Sequence, residues 1–180
     1  MRLALWTPQP DAAWVVALVP LLEREARVEI VARDAVPGTS LDLYHVADDP
    51  AHVFVHRALR RRPGVVLLAD WSLHSLARAE ATERGGGRAY VAAARRAHGT
   101  TGAFIARQVE RGLGGALPSL LAMNDRALEA SLGLVAFTDL VRARAAERLP
   151  GKSVVHLPLD FVGLPANLPE GEQLLWQGSP

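Results

Sequence analysis

Short apolar runs alternate with longer helical patterns along most of this chain, and that alternation restricts the fold more than any other feature. Strand-length runs separated by helix-length segments are the signature of βαβ units, which build a doubly wound, mainly parallel α/β sheet with helices on both faces. Residues 3–6 read as the first strand and 28–32 as the second. Between them, Val15, Leu18, Val19 and Leu22 recur at helical steps over 12–25, with Asp11 placed to cap the helix and Pro20 to kink it. Pro37-Gly38 supplies turn chemistry over 36–40, before a third strand at 41–46.

Asp49-Pro50 opens a helix running to about residue 61, because proline is tolerated at the first helical position. Residues 65–68 form an apolar run of the kind that a strand buried on both faces requires. Helical sequence then covers 73–83, a break at Gly85-Gly86-Gly87, and further helices over 90–113 and 117–130. A strand at 133–138, a helix at 139–148 and a last strand at 153–157 complete a domain over residues 1–160. Residues 161–180 read as a tail or interdomain linker, rich in proline and with apolar residues mainly at Leu174-Leu175-Trp176.

Composition narrows the function classes. At 180 residues the chain is long enough to bury a sizeable core, and 49% hydrophobic against 22% charged residues excludes disorder. A net charge of +1 gives no electrostatic reason to expect a nucleic-acid partner. No apolar run reaches transmembrane length, and Thr7-Pro8 interrupts the N-terminal run too early for a signal peptide, so a cytoplasmic location is expected. With no cysteine, thiolate metal sites and cysteine nucleophiles are excluded.

The turn after the first strand, Thr7-Pro8-Gln9-Pro10-Asp11, contains no glycine, so backbone amides cannot close on a pyrophosphate as in a dinucleotide fingerprint. Gly85–Gly87 and Gly112–Gly115 do not follow strands and read as helix breaks. Among the six histidines, His52 and His56 stand four apart, a spacing able to chelate a metal. No third ligand is evident, so a partly exposed helix face is expected and no metal or cofactor is assigned. The run Arg57, Arg60, Arg61, Arg62 lacks acidic residues in its own helix. It fits either peripheral contact with an anionic membrane surface or an acidic partner, or else a solvated helix end.

In open α/β sheets, ligands bind beyond the carboxyl ends of the strands. Three loops share that address: Pro8–Asp11, then His45 with Asp48 and Asp49, then Asp70, Ser72 and His74. Candidate cleft residues are therefore Pro10, Asp11, His45, Asp49, Asp70, Ser72 and His74, with no catalytic residue singled out. A carboxylate beside an imidazole suits a base or a sugar-hydroxyl contact. The alternative is that Asp49 and Asp70 are helix caps and the histidines fill space.

Tyr44-His45-Val46, Asp49-Pro50, His52, Ala58-Leu59, Arg62-Pro63-Gly64-Val65-Val66-Leu67-Leu68, Asp70 and Leu73-His74-Ser75-Leu76 together resemble the N-terminal domain of group 1 (family 4) glycosyltransferases. Gly133-Leu134-Val135, Thr138, Arg142, Leu149-Pro150-Gly151 and the stretch from Val154 to Pro158 are similar to that family's strand-helix-strand ending. The resemblance spans most of residues 1–160. It implies the Rossmann-like first half of a GT-B enzyme, which binds a glycan, lipid or other hydroxyl acceptor. The nucleotide-sugar donor is then held by a C-terminal GT-B domain carrying a glutamate pair, and hexosyl transfer needs both halves. Leu174-Leu175-Trp176 would fold back onto the domain. Asp11-Ala12-Ala13 stands where the family has a Ser-Gly step, and Ala69 where it has a histidine. Those two departures leave a second reading open, a non-catalytic binding or interaction module of glycosyltransferase type. A third is an unrelated Rossmann-like small-molecule binder.

Overall fold

Local apolar runs pair into strands where neighbouring backbones can satisfy their hydrogen bonds, and here that produces one six-stranded, all-parallel sheet. The computed structural model describes residues 1–33 and 41–158. The strands are β1 (Arg2–Trp6), β2 (Arg27–Val31), β3 (Leu41–Val46), β4 (Gly64–Leu68), β5 (Ser131–Ala136) and β6 (Val154–His156). Their order is β2-β1-β3-β4-β5-β6. The chain leaves β1 toward one edge and returns on its other side as β3, so the topological switch lies between β1 and β3. The fold is α/β and Rossmann-like.

The two faces of the sheet are covered unequally. On one, Tyr44, Val46, Val66, Leu68 and Leu134 pack with Val55 and Leu59 of α2 (Val53–Arg61), Leu76 of α3 (His74–Glu110), Leu128 of α4 (Asp125–Ala130) and Val141 of α5 (Asp139–Arg148). On the other, Leu3, Leu5, Leu43 and Leu67 pack with Val15 and Leu18 of α1 (Ala13–Leu22). Strand periodicity explains the division, since alternate residues of one strand face opposite sides. No helix among the described residues is long and apolar enough to cross a membrane.

Several local expectations change. Asp11 does not cap α1: Ala12 holds the N-cap position, with no side-chain hydrogen bond. Pro20 lies inside that helix, as its position in the sequence requires. The helix after Asp49 begins as a 3-10 turn over Pro50–His52, and Oδ1 of Asp49 accepts from the amide of Ala51 at 2.7 Å. The break at Gly85-Gly86 is present, with φ of +66° at Gly86, and a second break at His98-Gly99 folds α3 back again, with φ of +62° at Gly99. Residues 117–130 do not form one helix. They divide into a 3-10 turn (Leu117–Leu120), an irregular connection and the six-residue α4. The turn at 36–40, the tail from residue 161 and Leu174-Leu175-Trp176 lie outside the described residues.

Candidate functional site

The carboxyl ends of β1, β3, β4 and β5 enclose a cleft of about 360 Å³ at the β1/β3 switch. His45, Asp49 and Asp70 line it, as do Asp48 and His52. From the β1 side the contributors are Gln9 and Trp14, not Pro10 or Asp11. The first turn of α1 carries Trp14 over the switch, where its ring meets His45 edge-on at a centroid distance of 4.5 Å and packs against Phe137 at 5.6 Å.

His45 is buried at the end of β3, and its Nδ1 sits 3.2 Å from Oγ1 of Thr7 and 3.2 Å from Nε2 of His52. Thr7 accepts from the amide of Gln9, which organises the loop after β1. Burial, reinforced by His52, lowers the pKa of His45 to about 3, and burial also lowers that of His52. Both rings are neutral at physiological pH. Only one proton can lie between His45 Nδ1 and His52 Nε2, so the two rings have complementary tautomers. Nδ1 of His52 is buried without a hydrogen-bond partner among the described residues. An unsatisfied buried polar atom costs about 1–3 kcal/mol, and functional sites are where such a cost is found.

The carboxylates of Asp48, Asp49 and Asp70 complete the lining. The amide of Asp48 donates to Oδ2 of Asp70 at 2.9 Å, joining the loops after β3 and β4. Oδ1 of Asp48 accepts from the amides of Ser75 at 2.5 Å and Leu76 at 3.1 Å, so this residue caps α3 from a distant loop. Burial raises the pKa of Asp48, and those two backbone amides oppose the shift. Oδ2 of Asp49 and Oδ1 of Asp70 make no hydrogen bond among the described residues.

Ser72 and His74 point elsewhere. Oγ of Ser72 donates to the carbonyl of Leu121 at 2.8 Å, the amide of Leu73 donates to Ala122 at 2.7 Å, and Asn124 donates to the carbonyl of Trp71 at 2.7 Å. These three bonds fasten the loop after β4 to the segment before α4. His74 is buried against Tyr90 and hydrogen-bonds its hydroxyl. Burial, with Arg78 nearby, lowers the pKa of His74 to about 4, while burial raises that of Tyr90 to about 12. Tyr90 O–H therefore donates and His74 Nε2 accepts, a buried pin between two segments of α3.

His52 and His56 are not a partly exposed pair; both are buried and they diverge. His52 meets His45, whereas Nδ1 of His56 lies 2.9 Å from Oε2 of Glu80. Among the described residues no group of three His, Cys, Asp or Glu side chains is placed to hold a metal ion. The basic run is matched by tertiary neighbours: Arg57 pairs with Glu83, Arg60 with Glu80 and Arg62 with Asp42.

Sequence reasoning missed Trp14 and assigned His52 to the wrong environment. A signal for Trp14 exists, because it stands at the start of the helix that follows the switch-point strand, where the first turn overhangs the cleft. No family model, curated protein or solved structure matches this chain.

Proposed function

We propose that the carboxyl-edge cleft binds a polyhydroxylated acceptor, and that this chain is the acceptor-binding half of a nucleotide-sugar-dependent glycosyltransferase. The observation that carries the reading is the wall chemistry at the switch point: the indole of Trp14, two neutral histidines, and unengaged oxygens on Asp49 and Asp70. Carboxylate oxygens accept hydroxyl hydrogens, an indole covers the apolar face of a sugar ring, and a neutral imidazole offers one donor and one acceptor. No arginine or lysine among the described residues lines this cleft. A diphosphate would face three carboxylates there, which supports placing the donor on a separate domain.

A second reading, a non-catalytic binding module, is favoured by Ala69. It lines the cleft with a methyl group at the position where the resembling family carries an imidazole.

Titration of the chain with mono- and disaccharides, followed by tryptophan fluorescence and NMR, tests the acceptor site. Saturable binding that is lost in Trp14→Ala and weakened at least tenfold in Asp70→Asn supports it. Micromolar binding of a nucleotide-sugar by the isolated chain would overturn the acceptor assignment. Sugar transfer after mixing with a donor-binding GT-B domain would separate the enzyme reading from the binding module.

A further inference from the structure

A second and larger cavity, of about 940 Å³, opens among α2, α3 and α4, away from the carboxyl edge of the sheet. Its chemistry is the reverse of the cleft's. Five arginines and His56 line it against three carboxylates, Glu80, Asp125 and Glu129. Asp125 is already paired with Arg148 at one end. Glu80 is buried and takes hydrogen bonds from His56 at 2.9 Å, from Arg60 at 3.0 Å and from Arg84. Its two oxygens are therefore committed, and those contacts hold its pKa at about 2.

Arg96 and Arg126 complete the cluster from α3 and α4, and neither has an ion-pair or hydrogen-bond partner among the described residues. Burial, then the guanidiniums of Arg60 and Arg96, lower the pKa of Arg126. An arginine stays charged under such pressure, so the cost is carried as unbalanced positive potential. Between the arginines the wall is made of alanine methyls, including Ala77, Ala89 and Ala93, which leave room where longer side chains would have filled it.

We propose that this cavity is a binding site for a small organic phosphate, with the phosphoryl oxygens held by Arg126 and Arg96 beside the Arg60–Glu80–Arg84 group and the carbon skeleton over the alanine wall. Guanidinium forks match phosphate oxygens in bidentate geometry, and Glu80 preorganises two of the four by fixing Arg60 and Arg84. The proposal does not rest on the acceptor reading, because the two cavities share no lining residue.

Calorimetric titration with pyrophosphate and with ADP, at low and high salt, tests it. The expected result is saturable binding that weakens with salt and falls at least tenfold in both Arg126→Gln and Arg96→Gln, each with a native circular dichroism spectrum. Arg96 is exposed, so its variant carries the test if Arg126→Gln does not fold. Absence of saturable binding at millimolar ligand would overturn the proposal, as would undiminished binding in a folded Arg96→Gln variant. Binding to phosphatidylglycerol vesicles without binding to pyrophosphate or ADP would also overturn it, by assigning the cations to a surface and not to a pocket.

Discussion

The backbone amide of Asp48 donates to the carboxylate of Asp70 at 2.9 Å, so two aspartates from successive strand exits act as one structural unit. Asp48 passes that connection on to α3 by capping it at Ser75 and Leu76. Replacing Asp48 with alanine removes the acceptor for both amides and is expected to cost about 1–2 kcal/mol. Asparagine caps nearly as well and leaves no buried charge, so Asp48→Asn should retain most of the stability. Urea unfolding of the two variants checks the contrast.

Acid lability follows from the buried histidines. His45 and His74 have folded-state pKa values of about 3 and about 4, and His52 is also lowered. Each lies below its unfolded value, so the unfolded chain binds more protons and stability falls as pH drops below about 6.5. The expected slope is about 1.4 kcal/mol per pH unit for each histidine. Asp48 is raised by burial and works in the opposite direction, binding a proton more readily in the folded chain, so it offsets part of the histidine slope wherever it titrates. Chemical unfolding at three pH values reads the slope, and His74→Gln should reduce it by about one proton.

Glu80 is the shared hydrogen-bond acceptor of His56, Arg60 and Arg84. Glu80→Gln leaves His56 in the core without its carboxylate, while Arg60 and Arg84, being partly exposed, recover water. A loss of about 3 kcal/mol is expected, at the low end of the range for breaking a buried pair. Arg84→Ala, which removes a half-exposed partner, should cost less than about 1 kcal/mol. Thermal melts of both proteins separate these outcomes.

Gly64 begins β4 where its backbone passes close to β3. A Cβ there would lie 2.5 Å from the carbonyl oxygen of Asp42 and 2.8 Å from the Tyr44 ring. Tyr44 cannot swing aside freely, because its hydroxyl donates to the carbonyl of Arg62 at 2.8 Å. Gly64→Ala should therefore destabilise by about 1–3 kcal/mol, the usual cost of overpacking. Gly151, with open space around its Cβ position, serves as the control in the same denaturation series.

The cleft is partly legible in the sequence. His45, Asp49 and Asp70 follow from a general rule about strand exits, and all three line it. Pro10, Asp11, Ser72 and His74 satisfy the same rule and do not line it. Pro10 and Asp11 fall short of the switch while Trp14, one helical turn on, reaches over it. Ser72 and His74 are drawn away by Leu121 and Tyr90, partners 49 and 16 residues distant. The arginine cavity left no readable trace, since Arg60, Arg84, Arg96 and Arg126 share no local pattern.

By itself, the sequence determined the class and most of the elements: six apolar runs, several of the helices between them, and the glycine break at Gly85-Gly86, but not the break at His98-Gly99 or the division of 117–130. The elements it determined are set by local periodicity and backbone sterics, which a short window contains. Tertiary structure alone decided which polar groups meet. Whether Asp48 caps α3, whether His52 faces His45, and whether Glu80 gathers Arg60 and Arg84 depend on packing between elements far apart in the chain. Burial then sets the charge state of each group, because desolvation is a property of the assembled core and not of any residue within it.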